Sequence, residues 1–414
     1  MTEVFGSLFN NDVFLTALGI FFKLWPIWVP LLLLNVAFNG WMDYIRRRWI
    51  NGQGSVLLEV KLPKEMLKTP AAMELVFNGL WEPSSPGTFV DAFWEGKVRD
   101  WFSFEIVSIG GEVKFFIWAL PRWKKIIESR IYAQYPEAEV FEVEDYAKDL
   151  RYDPEELNMF GITTKLVKAD AYPIKTYVEY ELHKDNKEQE ETIDPITPVL
   201  EYLGTRKPGE FAAMQILVQA HRKEGILDGK VFVKPDWGDG VKKAIKEILE
   251  KDAVVKAEKD KPQTFMSISS TQTDTIKAIE RNVSKLAFDT MVRLLYIAPV
   301  DSYDKTIAMG FIGSMRQFGS TTLNGIRPDK FMSVAFPWQD FKDWKKREVQ
   351  STHIDAYKRR SFFNTPYKHL NGKPYILTTE ELATIFHIPG SVASTPNLVR
   401  SPSKKSEAPA NLPV

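Results

Sequence analysis

Hydrophobic positions along this chain follow two regimes. Over residues 13–40 they run almost unbroken, VFLTALGIFFKLWPIWVPLLLLNVAFNG, with Lys23 as the one charge. Beyond residue 55 they come in short runs with strand or helix periods. Residues 56–62 alternate as a strand does. Thr69-Pro70 then opens a helix, with Thr as cap and Pro at the first helical position, and Met73, Val76, Phe77 and Leu80 form its stripe. Residues 101–109 and 112–119 are two β-rich runs joined by Gly110-Gly111, a two-residue turn that accepts positive φ. A helix over 122–135 carries Trp123, Ile126, Ile127 and Ile131 on one face and stops at Pro136; 139–144 alternates again.

The second half echoes this order. The pattern predicts a strand over 172–182, a helix from Thr197-Pro198 with Val199, Leu200 and Leu203, and a strand over 211–220. An insertion over 221–274 follows, with an amphipathic run at 241–249 and a charged one at 251–261. A helix over 275–288 (Ile276, Ile279, Val283, Leu286), a strand over 291–298 ending at Pro299, a helix over 302–318 and a strand over 331–336 complete the series. The expected fold class is therefore α+β: an N-terminal transmembrane helix followed by duplicated ferredoxin-like (βαββαβ) units. The expected divisions are a short outer segment 1–12, the span 13–40, a juxtamembrane linker 41–55, unit one over 56–150 and unit two over 172–337. A basic, aromatic helical region 338–388 and a Pro- and Ser-rich tail 389–414 follow.

The run at 13–40 has the length a bilayer core requires, about 20 mostly apolar helical residues. The Lys23 stem can snorkel, and Pro26 and Pro30 are tolerated in membrane helices. Trp25, Trp28 and Trp41 suit an interface. The alternatives are a core helix, which rarely runs this apolar, and a cleaved signal, for which a basic start and a small-residue site are missing. Arg46, Arg47 and Arg48 follow the run, whereas Glu3 and Asp12 precede it. By the positive-inside rule the protein is expected in a cell inner membrane, single-pass, with its N-terminus out and its body cytoplasmic.

Composition adds little to that picture. Fifty-four basic and 54 acidic residues balance, which argues against a globally basic nucleic-acid binder. Cysteine is absent, which removes disulfides, thiolate metal sites and thiol nucleophiles.

Chemistry-bearing patterns are sparse. Gly204-Thr-Arg-Lys-Pro-Gly209-Glu210 has the glycine spacing of a phosphate loop but Glu where the loop needs Lys, so it reads as a turn. Gly52-Gln-Gly54 and Gly238-Asp-Gly240 lack a third glycine. His183, His221, His353, His369 and His387 share no helix face, and no metal set is expected from them. The acidic groups Glu142, Glu144, Asp145 and Glu188, Glu190, Glu191 read as solvated. No catalytic, cofactor or metal residue is therefore expected. Residues 316–373 hold twelve Lys and Arg against five Asp and Glu. Lys345, Lys346, Arg347 and Lys358, Arg359, Arg360 are the clusters, interleaved with Trp338, Phe341, Trp344, Phe362 and Phe363. Three readings stand: a solvated helix face, a contact with anionic lipid, or a nucleic-acid contact through phosphates and stacked bases. A short helix over 380–386 is expected, capped by Thr378 or Thr379.

Residues 376–390, ILTTEELATIFHIPG, resemble a segment of membrane-anchored ATPases of conjugative, type IV secretion-like DNA transfer. In that family the helix precedes a Pro-rich linker and then the motor domain. Thr395-Pro396-Asn397-Leu398 and Asn411-Leu412-Pro413 are similar to the linker. Leu120-Pro121, Ala133-Gln134-Tyr135-Pro136, 195–209, Tyr296-Ile297-Ala298-Pro299 and Gln317-Phe318 are similar to pieces of its N-terminal part. The sequence ends at Val414, where the motor would begin, so the motor is a separate chain, is lost, or lies beyond a fragment's end. The resemblance implies no catalytic residue. It implies a membrane-anchored accessory protein that positions a separately encoded translocation ATPase, with sheet edges and helix faces available for a homo-oligomer. The alternative is a membrane-tethered nucleic-acid binder using 316–373.

Overall fold

The computed structural model describes residues 16, 19–63, 68–183, 193–223, 225, 227, 237–253, 269–331, 338, 340, 343–389 and 400–401. A long helix, α1 (Trp25–Gln53), leads into β1 (Val56–Pro63). There follow α2 (Pro70–Asn78), β2 (Trp101–Ile109), β3 (Glu112–Ala119), α3 (Lys124–Gln134), β4 (Glu139–Val143) and a short α4 (Tyr146–Asp149). The second series is β5 (Leu157–Leu166), α5 (Thr197–Gly204), β6 (Phe211–Ala220), α6 (Trp237–Ala253), α7 (Ser270–Val283), β7 (Ala287–Pro299), α8 (Lys305–Gly313) and β8 (Ile326–Phe331). Then come α9 (Trp344–Lys358), β9 (Tyr375–Thr378), α10 (Thr379–Ile385) and β10 (Arg400–Ser401).

The fold is mixed α+β around one large antiparallel sheet. Its strands run β4-β1-β3-β2-β6-β7-β5-β8, with β9 beside β7 and a two-residue parallel bridge from β10 to β1. Each half places its strands fourth, first, third, second. The two second strands, β2 and β6, pair over the whole length of β2, Trp101 opposite Gln219 and Ile109 opposite Phe211. Two separate sheets were expected; the halves share one. That junction explains why β6 is buried at all ten positions and why its sequence does not alternate.

Local chemistry sets the details. Gly110 and Gly111 turn β2 into β3 at φ 61° and 95°. A Cβ on Gly111 would also sit 2.5 Å from the Arg206 carbonyl, so that turn requires glycine twice over. Pro70 occupies the first turn of α2 as expected, and Thr69 stands at the cap without a side-chain bond to the helix.

Three expectations are corrected. Residues 172–182 form no strand. The Thr176 N–H goes to Glu179 at 2.9 Å, and the Ile174 and Tyr177 N–H groups go to Glu381 and Thr384, so side chains take donors a ladder would need. The strand opening the second series is β5, and the strand closing it is β8, before the expected 331–336, of which 332–336 lie outside the described residues. The helix expected over 275–288 starts at Ser270 and ends at Val283, because Phe288 belongs to β7. The charged run at 251–261 and the tail at 389–414 lie mostly outside the described residues.

Side chains leave the sheet on two faces. Phe104 points to one, against Phe77 of α2 and Phe386 just after α10. Glu105 points to the other, under α9 and the loop after it. Among the described residues no helix is long and apolar enough to cross a membrane. The run at 13–40 is divided: residues 19–23 are helical, the path turns at Leu24, and Pro26 has no N–H with which to continue the ladder. The final part of α1 is polar and basic.

Candidate functional site

The N-terminal helix changes character along its length. Every residue from 19 to 41 is exposed except Trp28 and Val29, which are half-buried. Met42 and Ile45 are buried against the body, and Trp49 and Ile50 pack on its core. The Arg122 guanidinium lies 5.6 Å from the centre of the Trp49 ring. The helix is thus fastened at its C-terminal end and bare along its apolar part.

A loop of the body meets it at the changeover. Residues 83–97 carry a π-helical turn, Asp91–Glu95, laid against α1. The Trp41 indole donates to the Phe93 carbonyl at 2.9 Å, and Trp41 and Trp94 rings stand 5.7 Å apart. Gly96 makes the approach feasible. Its φ is +73°, and a Cβ there would sit 2.5 Å from the Ile45 backbone. Within the loop Asp91 accepts from the Thr88 hydroxyl at 2.8 Å and pairs with Lys97 at 2.6 Å. The Lys97 contact, then Thr88, holds the Asp91 carboxyl below its ordinary value, and Asp91 with Glu95 holds the Lys97 ammonium above its own.

Two clefts flank the basic end of α1. One, of about 60 Å³, is lined by Arg46, Lys97, Arg99, Asp289, Lys368 and His369. Arg99 and His221 both hold Asp289, at 3.1 and 2.7 Å, and beside them burial pushes the Asp170 carboxyl up to about 6. The other, of about 450 Å³, is lined by Arg47, Trp101, Trp118, Lys358, Arg359 and Tyr367, among others. The structure therefore brings Arg47 together with Lys358 and Arg359, residues drawn from two separate basic clusters, while Arg46 lines the other cleft. Arg47 pairs with Asp43 at 2.7 Å and Arg359 with Asp355 at 2.8 Å, both at the surface, and Arg48 is exposed. Lys345 and Arg347 are exposed at the far end of α9, about 20 Å away at 1.5 Å per residue. Lys346 is half-buried beside them.

Arg360 corrects the expectation of a surface cation. It is wholly buried, at φ 49°, with Nε 3.0 Å from Glu105 and Nη1 2.6 Å from Asp145. Glu105 also accepts from Gln215 at 2.9 Å, Ser103 at 2.6 Å and Tyr146 at 2.7 Å. Burial works against the Arg360 charge, but Glu105 and its neighbours raise its pKa well above the ordinary value. Arg293 on β7 donates to the Ser361 carbonyl at 2.6 Å and to Ala356 at 3.2 Å; burial pulls it down to about 9, still a cation at neutral pH. Together the two arginines clamp the chain after α9 onto the sheet. Phe362 and Phe363 are buried with them, so the end of the basic, aromatic pattern from Arg360 to Phe363 is core.

The 376–390 segment is also internal. Every residue of α10 is buried, and Thr378 caps it. Glu381 accepts the Thr378 N–H at 2.8 Å and the Ile174 N–H at 2.9 Å, and burial nevertheless pushes its carboxyl up to about 7. Glu380 meets Arg281 at 3.1 Å, and His387 meets Asp194 at 3.1 Å. Sequence reading assigned these side chains no role; the only signal for them was the dense run of polar residues inside an otherwise apolar motif. Among the described residues no group of three or more His, Asp or Glu could hold a metal ion.

A search of curated proteins finds no match to this chain. A family model described as a domain of unknown function (DUF8128) matches residues 50–401, from the end of α1 to β10, and the chain belongs to that family.

Proposed function

We propose that this protein is a membrane-anchored platform. Residues 19–41 sit in a lipid bilayer as a broken single-pass anchor, and the family domain is held at the cytoplasmic surface. One observation carries the reading: residues 19–41 are mostly apolar and bare except for half-buried Trp28 and Val29, and they end in a collar of Trp41, Arg46, Arg47 and Arg48 against which the body is fastened. At 1.5 Å per residue the continuous part from Trp25 to Trp41 rises ~26 Å, with the helical residues 19–23 beyond the break, against a hydrocarbon core of ~30 Å. A proline break is tolerated there because neighbouring groups can re-satisfy the backbone. Exposed apolar surface of this extent marks an interaction site on a protein in water. Fractionation of cells expressing the full chain tests this: it should stay with carbonate-washed membranes and require detergent for release.

The strand order of each half supports reading them as two ferredoxin-like units fused through β2 and β6. Such a body has no chemistry of its own in this reading. The resemblance of 376–390 to conjugative, type IV secretion-like ATPases supports a role in positioning a separately encoded translocation ATPase at an inner membrane. Affinity capture from native membranes should bring down an ATPase with Walker motifs. Capture of the chain without any such ATPase would count against that role and leave the anchor reading untouched. The nucleic-acid alternative has lost Arg360 to the core, and the other cations of the two clusters sit at opposite ends of α9.

A further inference from the structure

Beside α1 stands a second apolar surface that the anchor does not require. Phe89, Val90 and Trp94 are 62%, 59% and 72% exposed, on the tip of the 83–97 loop. The loop is not slack: Asp91 ties it to Thr88 and Lys97, the Lys97 N–H bonds the Asp91 carbonyl at 2.8 Å, and Gly96 seats it on the Ile45 backbone. A closed turn thus spends its order on holding three large apolar side chains outward. They are continuous with the bare part of the helix through Trp41–Trp94 and Phe38–Phe93 ring contacts. Arg46, Lys97, Arg99 and Lys368 line the smaller cleft, where Asp289 holds Arg99 and Asp91 holds Lys97.

We propose that the 83–97 loop is a second membrane contact, a wedge whose Phe89, Val90 and Trp94 enter the interfacial layer of the leaflet that α1 leaves. This rests on the anchor reading above. The occupant is phospholipid: the three side chains continue the apolar surface of the anchor, aromatic side chains favour the headgroup level, and Arg46, Arg47 and Arg48 at the end of that surface complement anionic headgroups. A wedge and a helix joined at Gly96 fix the tilt of the body, which a single helix alone would leave free to swivel.

The cysteine-free sequence allows a direct test. The full chain is reconstituted into vesicles of phosphatidylcholine and phosphatidylglycerol, with one environment-sensitive fluorophore on Val90→Cys, Leu33→Cys or Ile126→Cys. Ile126 is an exposed apolar position on α3. The wedge predicts blue-shifted emission and quenching by lipid-borne nitroxides at 33 and 90, and neither at 126. A lipid environment at 33 with water at 90 would overturn the wedge and leave the anchor standing. Water at 33 would overturn both. A blue shift at 90 without lipid quenching would mean a protein covers the loop, and would overturn the lipid assignment. Phe89→Cys repeats the measurement should the label at 90 disturb the turn.

Discussion

Arg359 and Arg360 are neighbours in a basic triplet and have opposite fates. Arg359 is exposed and paired locally with Asp355. Arg360 is enclosed, and its carboxylate partner Glu105 lies 255 positions away in the chain. No local pattern distinguishes them, because burial of Arg360 is decided by which strand its loop crosses. The structural difference sets a difference in cost. Removing one partner of a buried pair leaves an uncompensated charge, worth ~3–5 kcal/mol, whereas an exposed pair contributes ~0–1 kcal/mol. Arg360→Ala should therefore lower the urea midpoint of the detergent-solubilised chain substantially, and Arg359→Ala should barely move it. Equal shifts would mean that the clamp on the sheet does not hold.

At the scale of elements, the helix–strand series was legible where apolar periods were strong, as in β1 to β4 and in β6. It failed where side chains replaced the ladder. Residues 172–182 alternate like a strand, yet Glu179, Glu381 and Thr384 take their backbone donors. β5 was missed because Gly161, Thr163 and Thr164 dilute its apolar signal. The buried α10 segment predicts a pH response. Burial pulls the His387 imidazole down, but Asp194 and hydrogen bonds to the Ala383 and Thr384 backbone outweigh it and raise the pKa. Burial pushes the Asp194 carboxyl up, and His387 outweighs that and lowers it. The His387 contribution is then complete below the unfolded value of about 6.5 and is lost as pH rises through the folded value. The Asp194 contribution is present above about 3.9 and is lost as pH falls through its folded value. Glu381, raised to about 7, loses stability in the same direction as His387 when pH rises. His353 acts oppositely: burial, then Arg293, lowers it to about 4, so its contribution fades on acidification. Between pH 6 and 8.5 the thermal midpoint of His387→Gln should fall less steeply than that of the parent chain. Parallel slopes would remove the pair from the account.

For the whole molecule, the mixed α+β class was legible and the closure of its sheet was not. Two successive βαββαβ patterns suggested two sheets, while the pairing of β2 with β6 depends on contacts more than 100 residues apart, such as Gln215 to Glu105 at 110. The joint makes the halves interdependent. β2 is buried at eight of nine positions, so a fragment of residues 56–150 would present that strand as a bare apolar edge. Such a fragment should elute from size-exclusion columns as dimers or aggregates. A monodisperse, cooperatively unfolding monomer would show that the first half closes without the second.

Membrane seating is the claim on which the reading of the molecule depends, and flotation tests it most directly. The purified full chain, mixed with anionic vesicles as detergent is removed, is spun through a density gradient in 1 M salt, where surface charge contacts are screened to within ~3 Å. Seating by residues 19–41 predicts that the chain floats with the vesicles and that a variant lacking those residues does not. A full-length chain that stays at the bottom of the gradient as a detergent-free monomer would contradict it.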